Sequence, residues 1–169
     1  MSLSLTQFKK TVATRKRKLV LFLKKFDEIT VPGLSAMVKK ADKEVWNKID
    51  CMDCANCCKT MTPTYKKEDI SRIADHLNMK PKEFKERWLL QEKKSGDWVN
   101  KSTPCQFLVK NKCSIYDVRP KDCAGFPHHH KKDFELYNDT YIQNLSSCPA
   151  TLMLVERLQE KIEEEYIWK

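Results

Sequence analysis

The chain has 169 residues, of which 41% are hydrophobic and 33% are charged, and its formal net charge is +9. This length suits one domain with a modest core, and three glycines are few for a turn-rich β fold. The excess of cations permits an anionic partner. Because the sequence has no finger-type histidine pair and no recognition helix with a clean basic face, it argues against nucleic acid as that partner.

The cellular compartment decides how eight cysteines are interpreted. The apolar run Leu19–Leu23 is shorter than the roughly 7 to 15 residues of a signal-peptide core and the roughly 20 of a membrane span. We therefore expect a cytoplasmic protein without a membrane span. In a reducing compartment, metal binding explains the cysteines better than four disulfides do.

Two helices are predicted before the first cysteine. Apolar residues recur at three- and four-residue steps over residues 3 to 29, which indicates an amphipathic helix that Pro32-Gly33 ends. The basic block Arg15–Lys18 within it is interpreted as a solvated face. A second helix begins near Ser35, a candidate N-cap, and is expected to lead directly into Cys51.

Four cysteines then occur within eight residues: Cys51, Cys54, Cys57 and Cys58. Overlapping C-x-x-C steps are typical of a site for a soft metal, because thiolates select zinc, copper(I) or iron–sulfur clusters over magnesium and calcium. If this segment is one helix, Cys51, Cys54 and Cys58 lie within about 60° of one another and Cys57 about 120° from Cys51. We therefore predict that the first three serve one centre, and that Cys57 serves another or none.

Beyond the cluster the pattern changes from helices to short strands. A third helix is predicted with Thr64 as N-cap candidate, and a fourth helix from Pro81 through Leu89. Strands are predicted at 98–100, 106–109 and 113–116, the last two forming a hairpin. In that hairpin Cys105 and Cys113 share a site only if it is short or bent. Residues 133–145 have mixed periodicity and do not distinguish a helix from irregular structure. The last helix begins at Pro149.

The remaining metal ligands are predicted downstream, at Cys105, Cys113, Cys123 and Cys148. Our hypothesis adds either Cys123 or Cys148 to the three convergent thiolates and groups Cys105 and Cys113 with Cys57 in any second site. Eight sulfurs fit two four-thiolate zinc sites or one [4Fe-4S] cluster with four sulfurs to spare.

Histidines are secondary candidates for ligands. A lone helical histidine such as His76 is more often an ordinary surface or core residue than a ligand. Of the three consecutive histidines 128–130, His128 lies nearest Cys123 in sequence and is the best candidate for a ligand or for a residue supporting one. Neither the cysteines nor the histidines identify a catalytic residue, so the sequence leaves open whether the protein is an enzyme.

An ordered set of motifs resembles the CxxCxxCC cysteine-cluster family of zinc- or iron-chelating domains. The matching motifs are Cys51-x-x-Cys54-x-x-Cys57-Cys58, Pro104-Cys105-x-Phe107-Leu108, Cys113-Ser-Ile-Tyr116-x-x-Arg119-Pro120-x-x-Cys123, Phe126-Pro127 and Cys148-Pro149. The resemblance covers about residues 45 to 150. Many members of the family have a basic residue after the cysteine that matches Cys123, whereas this chain has Ala124.

The resemblance also implies a more specific alternative function. The family includes the cysteine-rich part of bacterial flagellin lysine N-methylases, where an iron–sulfur cluster is implicated. By that similarity, this chain would be an iron–sulfur-dependent enzyme or accessory that acts on protein lysine, with an unidentified protein as substrate or partner.

Taken together, the sequence predicts a single metal-stapled domain over residues 1–169, mainly α with a small β-hairpin. Its cysteine-cluster core spans about 45–150 and is flanked by N-terminal helices over 3–48 and a C-terminal helix over 149–166. The predicted function is to hold zinc or an iron–sulfur cluster through thiolates from both halves of the chain.

Overall fold

A computed structural model describes residues 4–129 and 134–165 of the chain. Outside the described residues lie His130, residue 3 of the predicted first helix, residue 133 of the undecided segment and residue 166 of the predicted last helix. The described helices are α1 Leu5–Lys24, α2 Leu34–Trp46, α3 Cys51–Cys54, α4 Asn56–Thr60, α5 Lys67–His76, α6 Pro81–Trp88, α7 Lys121–Gly125, α8 Asn138–Asn144 and α9 Pro149–Glu165. The strands are β1 Thr64–Tyr65, β2 Leu89–Gln91, β3 Trp98–Asn100, β4 Leu108–Val109 and β5 Lys112–Cys113. The prediction of a mainly α fold with a small β-hairpin is confirmed.

The chain forms two compact units. The first unit comprises residues 1–50 and 127–169, and the second comprises residues 51–126. Seven of the eight cysteines belong to the second unit, and Cys148 belongs to the first. The predicted grouping of all 169 residues around one metal-stapled core stays a prediction. Within the described residues, no helix is both long and apolar enough to span a bilayer.

The first unit is a helical bundle in which α1, α2 and α8 each pack against α9. Its core consists of residues at helical spacing, including Phe22 and Leu23 of α1 and Leu158 of α9. The predicted first helix is confirmed over α1, and a 3-10 turn at Lys25–Asp27 continues it. The predicted last helix is confirmed as α9, and the undecided segment before it contains a 3-10 turn followed by α8.

The predicted path from α2 into the first cysteine is wrong. Gly33, at φ 74°, is the N-cap in place of Ser35, because glycine adopts this left-handed conformation without strain. The helix ends at Trp46, where the amides of Lys48 and Ile49 both bond to the Val45 carbonyl and close the last turn. Residues 47–50 therefore separate α2 from the cysteine cluster.

One histidine is an integral part of the first unit. His129 is buried, with Nδ1 2.7 Å from Asp42 Oδ1 and Nε2 3.0 Å from Thr151 Oγ1, and its ring stacks on Tyr141. Because both ring nitrogens already have partners, His129 has a structural role in the bundle. His128 precedes it with φ 69°, and His76 is exposed at the end of α5.

The second unit has its own apolar core between helices α5 and α6 and the antiparallel sheet β1-β3-β2. The rings of Phe84 and Phe107 stack with centroids 6.1 Å apart at its centre. Two boundaries differ from prediction: the start of the third helix, and the end of the fourth, because Leu89 lies in β2. Thr64 lies in β1, and α5 begins at Lys67, because the Asp69 carboxylate accepts the Lys66 amide at 3.1 Å and caps the helix there.

The predicted hairpin is confirmed as the pair β4–β5, with Leu108 opposite Cys113. Its strands are only two residues long, and the connecting residues Lys110 and Asn111 have φ of 48° and 66°. Positive φ at both central positions is the signature of a tight two-residue turn that matches the twist of the strands. The hairpin is therefore short enough to bring Cys105 towards Cys113.

Candidate metal centre

The four clustered cysteines lie on two short helices. Cys51 and Cys54 are at the ends of α3, whereas Cys57 and Cys58 lie in α4, and Ala55 at φ 47° separates the two helices. A left-handed residue cannot continue a right-handed helix. The assumption of one continuous helix, and with it the calculated angles between the sulfurs, is therefore wrong.

The thiols that the structure brings together are Cys58, Cys105, Cys113 and Cys123. They come from four separate segments of the second unit: α4, the loop before β4, β5 and α7. They lie within electrostatic reach of one another, because charge on Cys58 raises the pKa of each of the other three thiols. The Cys105 amide donates to the Cys58 carbonyl at 2.8 Å, which fixes two of the segments side by side.

The four thiols differ in how readily they ionise. Burial raises the pKa of Cys105, Cys113 and Cys123 above the ordinary value, and the neighbouring thiols raise it further. A hydrogen bond from the Cys57 thiol lowers the pKa of Cys58 to about 7 against the opposing effect of burial, and Lys59 contributes to the lowering. The site therefore has one thiol that ionises near neutral pH and three that remain protonated.

Backbone amides donate to two of the sulfurs with the same spacing. The Phe107 amide bonds to the Cys105 sulfur, and the Ile115 amide bonds to the Cys113 sulfur, in each case two residues after the cysteine. Hydrogen bonds to the charged form of a group stabilise that form. The local backbone therefore favours thiolates at these two positions, which is what metal ligation requires.

A buried polar side chain also faces the site. Asn100 is 5% exposed, and its Nδ2 has no hydrogen-bond acceptor by ordinary geometric criteria within the part of the chain that the structure describes. This amide lies next to the Cys105 thiol and lowers its pKa. A buried donor without an acceptor is costly, and a thiolate ligand at Cys105 would satisfy it. The residues around Cys105 thus fit a thiolate-bound metal.

Asp69 holds the segment that carries Cys123. Its buried carboxylate accepts from Arg72 Nη2 at 2.6 Å and from the Lys121 amide at 3.1 Å, at the first residue of α7. Burial alone would raise the pKa of Asp69, but the hydrogen bonds from Arg72 and the backbone outweigh it and lower that pKa. Arg72 also donates to the Arg119 carbonyl at 2.9 Å. Helix α5 thereby fixes the chain on the approach to Cys123.

The other cysteines have different surroundings. Helix α3, with Cys51 and Cys54, packs against β5, and Asn111 Nδ2 donates to the Asp53 carbonyl at 3.0 Å. Cys148 is buried just before α9 in the first unit. Across residues 4–129 and 134–165, no three Cys, His, Asp or Glu side chains already stand at distances that hold a single metal ion. The predicted ligand role of all eight cysteines stays a prediction.

Comparison with known proteins identifies the class. Residues 50–149, more than half of the chain, match the family model CxxCxxCC, described as "Putative zinc- or iron-chelating domain". The chain belongs to this family, which supports metal binding in general and confirms the resemblance drawn from the cysteine motifs. No curated protein and no solved structure matches the chain significantly.

Sequence reasoning missed the polar residues that support the thiols. Asn100 and Asp69 carry no motif, and each resembles an ordinary surface residue in the sequence. The only available signal for Asp69 was its position three residues after Lys66, which is the N3 position of a helix cap. For Asn100 there was none, because its role arises from strand pairing and from the loop that brings Cys105 beside it.

Replacement of Asp69 by alanine tests how the Cys123 segment is held. We expect the variant to lose about 2 to 4 kcal/mol of unfolding free energy, since it leaves Arg72 and two backbone amides without their shared acceptor. Urea unfolding of the freshly isolated protein measures this, with the exposed Asp75→Ala on the same helix as the control. Because the pKa of Asp69 is lowered on folding, the advantage of the wild type is full at neutral pH and declines below about pH 4. A variant as stable as the control would contradict this role.

Proton release on metal binding tests the ionisation of the thiols. If Zn²⁺ binds all four as thiolates at pH 7, about three and a half protons leave, one from each of the three raised thiols and about half from Cys58. Calorimetry in buffers of different ionisation enthalpy counts them. The apparent affinity for Zn²⁺ therefore rises with pH. Release of two protons or fewer would show that the four cysteines do not all bind Zn²⁺ as thiolates.

Proposed function

We propose that the chain holds one metal centre through the thiolates of Cys58, Cys105, Cys113 and Cys123, with zinc or iron as the metal. The single observation that carries this proposal is the approach of four thiols from four separate segments to within electrostatic reach of one another. Membership of a metal-chelating family supports it. Four thiolates are the complete ligand set both of a structural zinc site and of a [4Fe-4S] cluster.

Two features make this group suitable for ligation. Rotation about one side-chain torsion moves a cysteine sulfur between staggered positions, so each of the four thiols has several directions in which to approach a metal. Four thiolates around Zn²⁺ carry a net charge of about −2, and nearby cations reduce its cost. Arg119 lowers the pKa of Cys113, and Lys59 lowers that of Cys58, so both stabilise negative charge at the site.

The metal would serve first as a structural link. The second unit consists of short elements, several of them two to five residues long, joined by loops. Structural zinc contributes on the order of 10 kcal/mol at neutral pH, which is comparable with the whole unfolding free energy of a typical domain. Binding would therefore couple the folding of this unit to the metal.

The ligand set first inferred from the sequence remains the competing assignment. It places Cys51, Cys54 and Cys58 at the principal centre together with Cys123 or Cys148. Its geometric basis does not hold, because Ala55 separates α3 from α4. Cys51 and Cys54 nevertheless lie on α3, which packs against β5, the strand that carries Cys113. Together with Cys57 they would suit an additional thiolate site. An activity on protein lysine rests on the family resemblance alone.

Paired serine variants decide between the two sets. We expect Cys113→Ser and Cys105→Ser to reduce the metal-to-protein ratio of freshly isolated protein to background, and Cys54→Ser to retain the wild-type ratio. Elemental analysis after anaerobic purification measures the ratio. The reverse pattern, with metal lost only from Cys54→Ser, would overturn the proposed ligands in favour of the competing set.

A visible spectrum of the same samples identifies the metal. Brown protein with four iron atoms and acid-labile sulfide means a cluster, whereas colourless protein with one zinc per chain means a single-ion site. Either result supports a four-thiolate centre. A reduced wild-type protein that stays folded with every thiol reactive and with neither metal bound would contradict the proposed function.

A further inference from the structure

We propose that Asn100 is a positioning residue of the metal centre, whose side-chain amide donates an N–H···S hydrogen bond to the metal-bound Cys105 thiolate. This inference rests on the proposed function, since it requires Cys105 to be a ligand. It adds a specific role for a residue outside every cysteine motif of the chain. Its consequence is that a buried polar network of this unit controls the metal affinity and the electronic properties of the site.

The geometry fixes the Asn100 side chain from three directions. Its Oδ1 accepts from the Tyr65 hydroxyl at 2.6 Å and from Gln106 Nε2 at 3.0 Å, so both carbonyl lone pairs are used. Its backbone amide donates to Thr62 Oγ1 at 2.8 Å, and β3 pairs it with Leu89 of β2. With the carbonyl held in this way, the Nδ2 group can point in only one direction.

The remaining donor matches a thiolate and not a thiol. A protonated Cys105 would offer its own S–H and only a weakly accepting sulfur, whereas a thiolate is a strong acceptor for the amide end of the asparagine. The Nδ2 group is buried without a hydrogen-bond acceptor of any kind at ordinary distances among the described residues, and Asn100 is 5% exposed. The side chain is thus oriented for the charged form of Cys105.

Tyr65 has two connections to the site. Its hydroxyl orients Asn100, and its buried ring lies near the thiols of Cys105, Cys113 and Cys123, which together with burial raise its own pKa. A neutral hydroxyl at this position remains a hydrogen-bond donor throughout the physiological range. Tyr65 therefore supports the Cys105 ligand through Asn100, and Tyr65→Phe removes this support while it keeps the aromatic packing.

Cobalt(II) is a suitable probe, because its thiolate complexes are coloured and their sulfur-to-metal charge-transfer bands report the charge on each sulfur. Metal-free wild type, Asn100→Asp, Asn100→Leu and Tyr65→Phe would be titrated with Co²⁺, and then with competing Zn²⁺. Asn78→Asp is the control, because it makes the same chemical change at an exposed asparagine of the same unit. Circular dichroism of each variant with Co²⁺ bound shows whether it folds like the wild type.

We expect Asn100→Leu to weaken metal binding by about 10- to 100-fold, the range typical for loss of a group that supports a metal ligand. Asn100→Asp should weaken it more, because a carboxylate would face the thiolate, and Tyr65→Phe less. In all three, the charge-transfer bands should move to lower energy without loss of four-sulfur coordination. If the native centre is an iron–sulfur cluster, the same variants should lower its reduction potential.

The failure of this inference differs from the failure of the proposed function. If wild type and Asn78→Asp bind metal while Asn100→Leu and Tyr65→Phe match their affinity and band positions, Asn100 has no role at the centre and only this inference falls. If the wild type itself binds no Co²⁺, no Zn²⁺ and no iron–sulfur cluster, the proposed function is contradicted, and this inference with it. Weaker binding with unshifted bands would mean that Asn100 only packs, and it would also overturn the inference.

Discussion

The structure of the second unit depends on the approach of four thiols that lie on four separate segments. No single helix or strand carries two of them, because Cys58, Cys105, Cys113 and Cys123 belong to α4, a loop, β5 and α7. Such an arrangement costs free energy when the thiols ionise without a metal, since like charges in a partly buried site repel one another. Burial first, and then the neighbouring thiols, raise the pKa of three of these cysteines, and a bound cation would favour their charged forms.

The surrounding structure limits where each sulfur can lie. Asp69 anchors the first residue of α7 and so fixes the start of the Cys123 helix, while the amides of Phe107 and Ile115 orient the sulfurs of Cys105 and Cys113. The stacked rings of Phe84 and Phe107 connect this polar region to the apolar core. Preorganised ligands and their hydrogen-bonded neighbours are what distinguish a metal site from a chance group of cysteines.

Regular periodicity made the long helices of the first unit predictable. The buried faces of α1 and α9 follow directly from apolar residues at three- and four-residue steps, and the hairpin follows from its turn.

The geometry of the cysteine cluster was not predictable in the same way, because cysteine spacing gives the angles between the sulfurs only if the segment is one continuous helix. Ala55 adopts a left-handed conformation that sequence does not reveal, and it turns Cys57 and Cys58 onto a new axis. The approach of Cys105 to Cys113 depended on the length of the hairpin, which the sequence pattern left open. The role of Asn100 could not be predicted, because it depends on the strand pairing that places this residue beside the Cys105 sulfur.

X-ray absorption at the metal edge of freshly isolated protein tests the central claim most directly, because it counts the atoms bound to the metal. The account predicts sulfur coordination alone, with four thiolates at about 2.3 Å from a zinc ion, or iron bound by sulfide and cysteine sulfur. Loss of the metal signal from Cys113→Ser, with the sulfur count of Cys54→Ser unchanged from the wild type, would assign the ligands. A first shell dominated by nitrogen or oxygen, or a metal whose sulfur count is unaffected by replacement of Cys105 or Cys113, would contradict it.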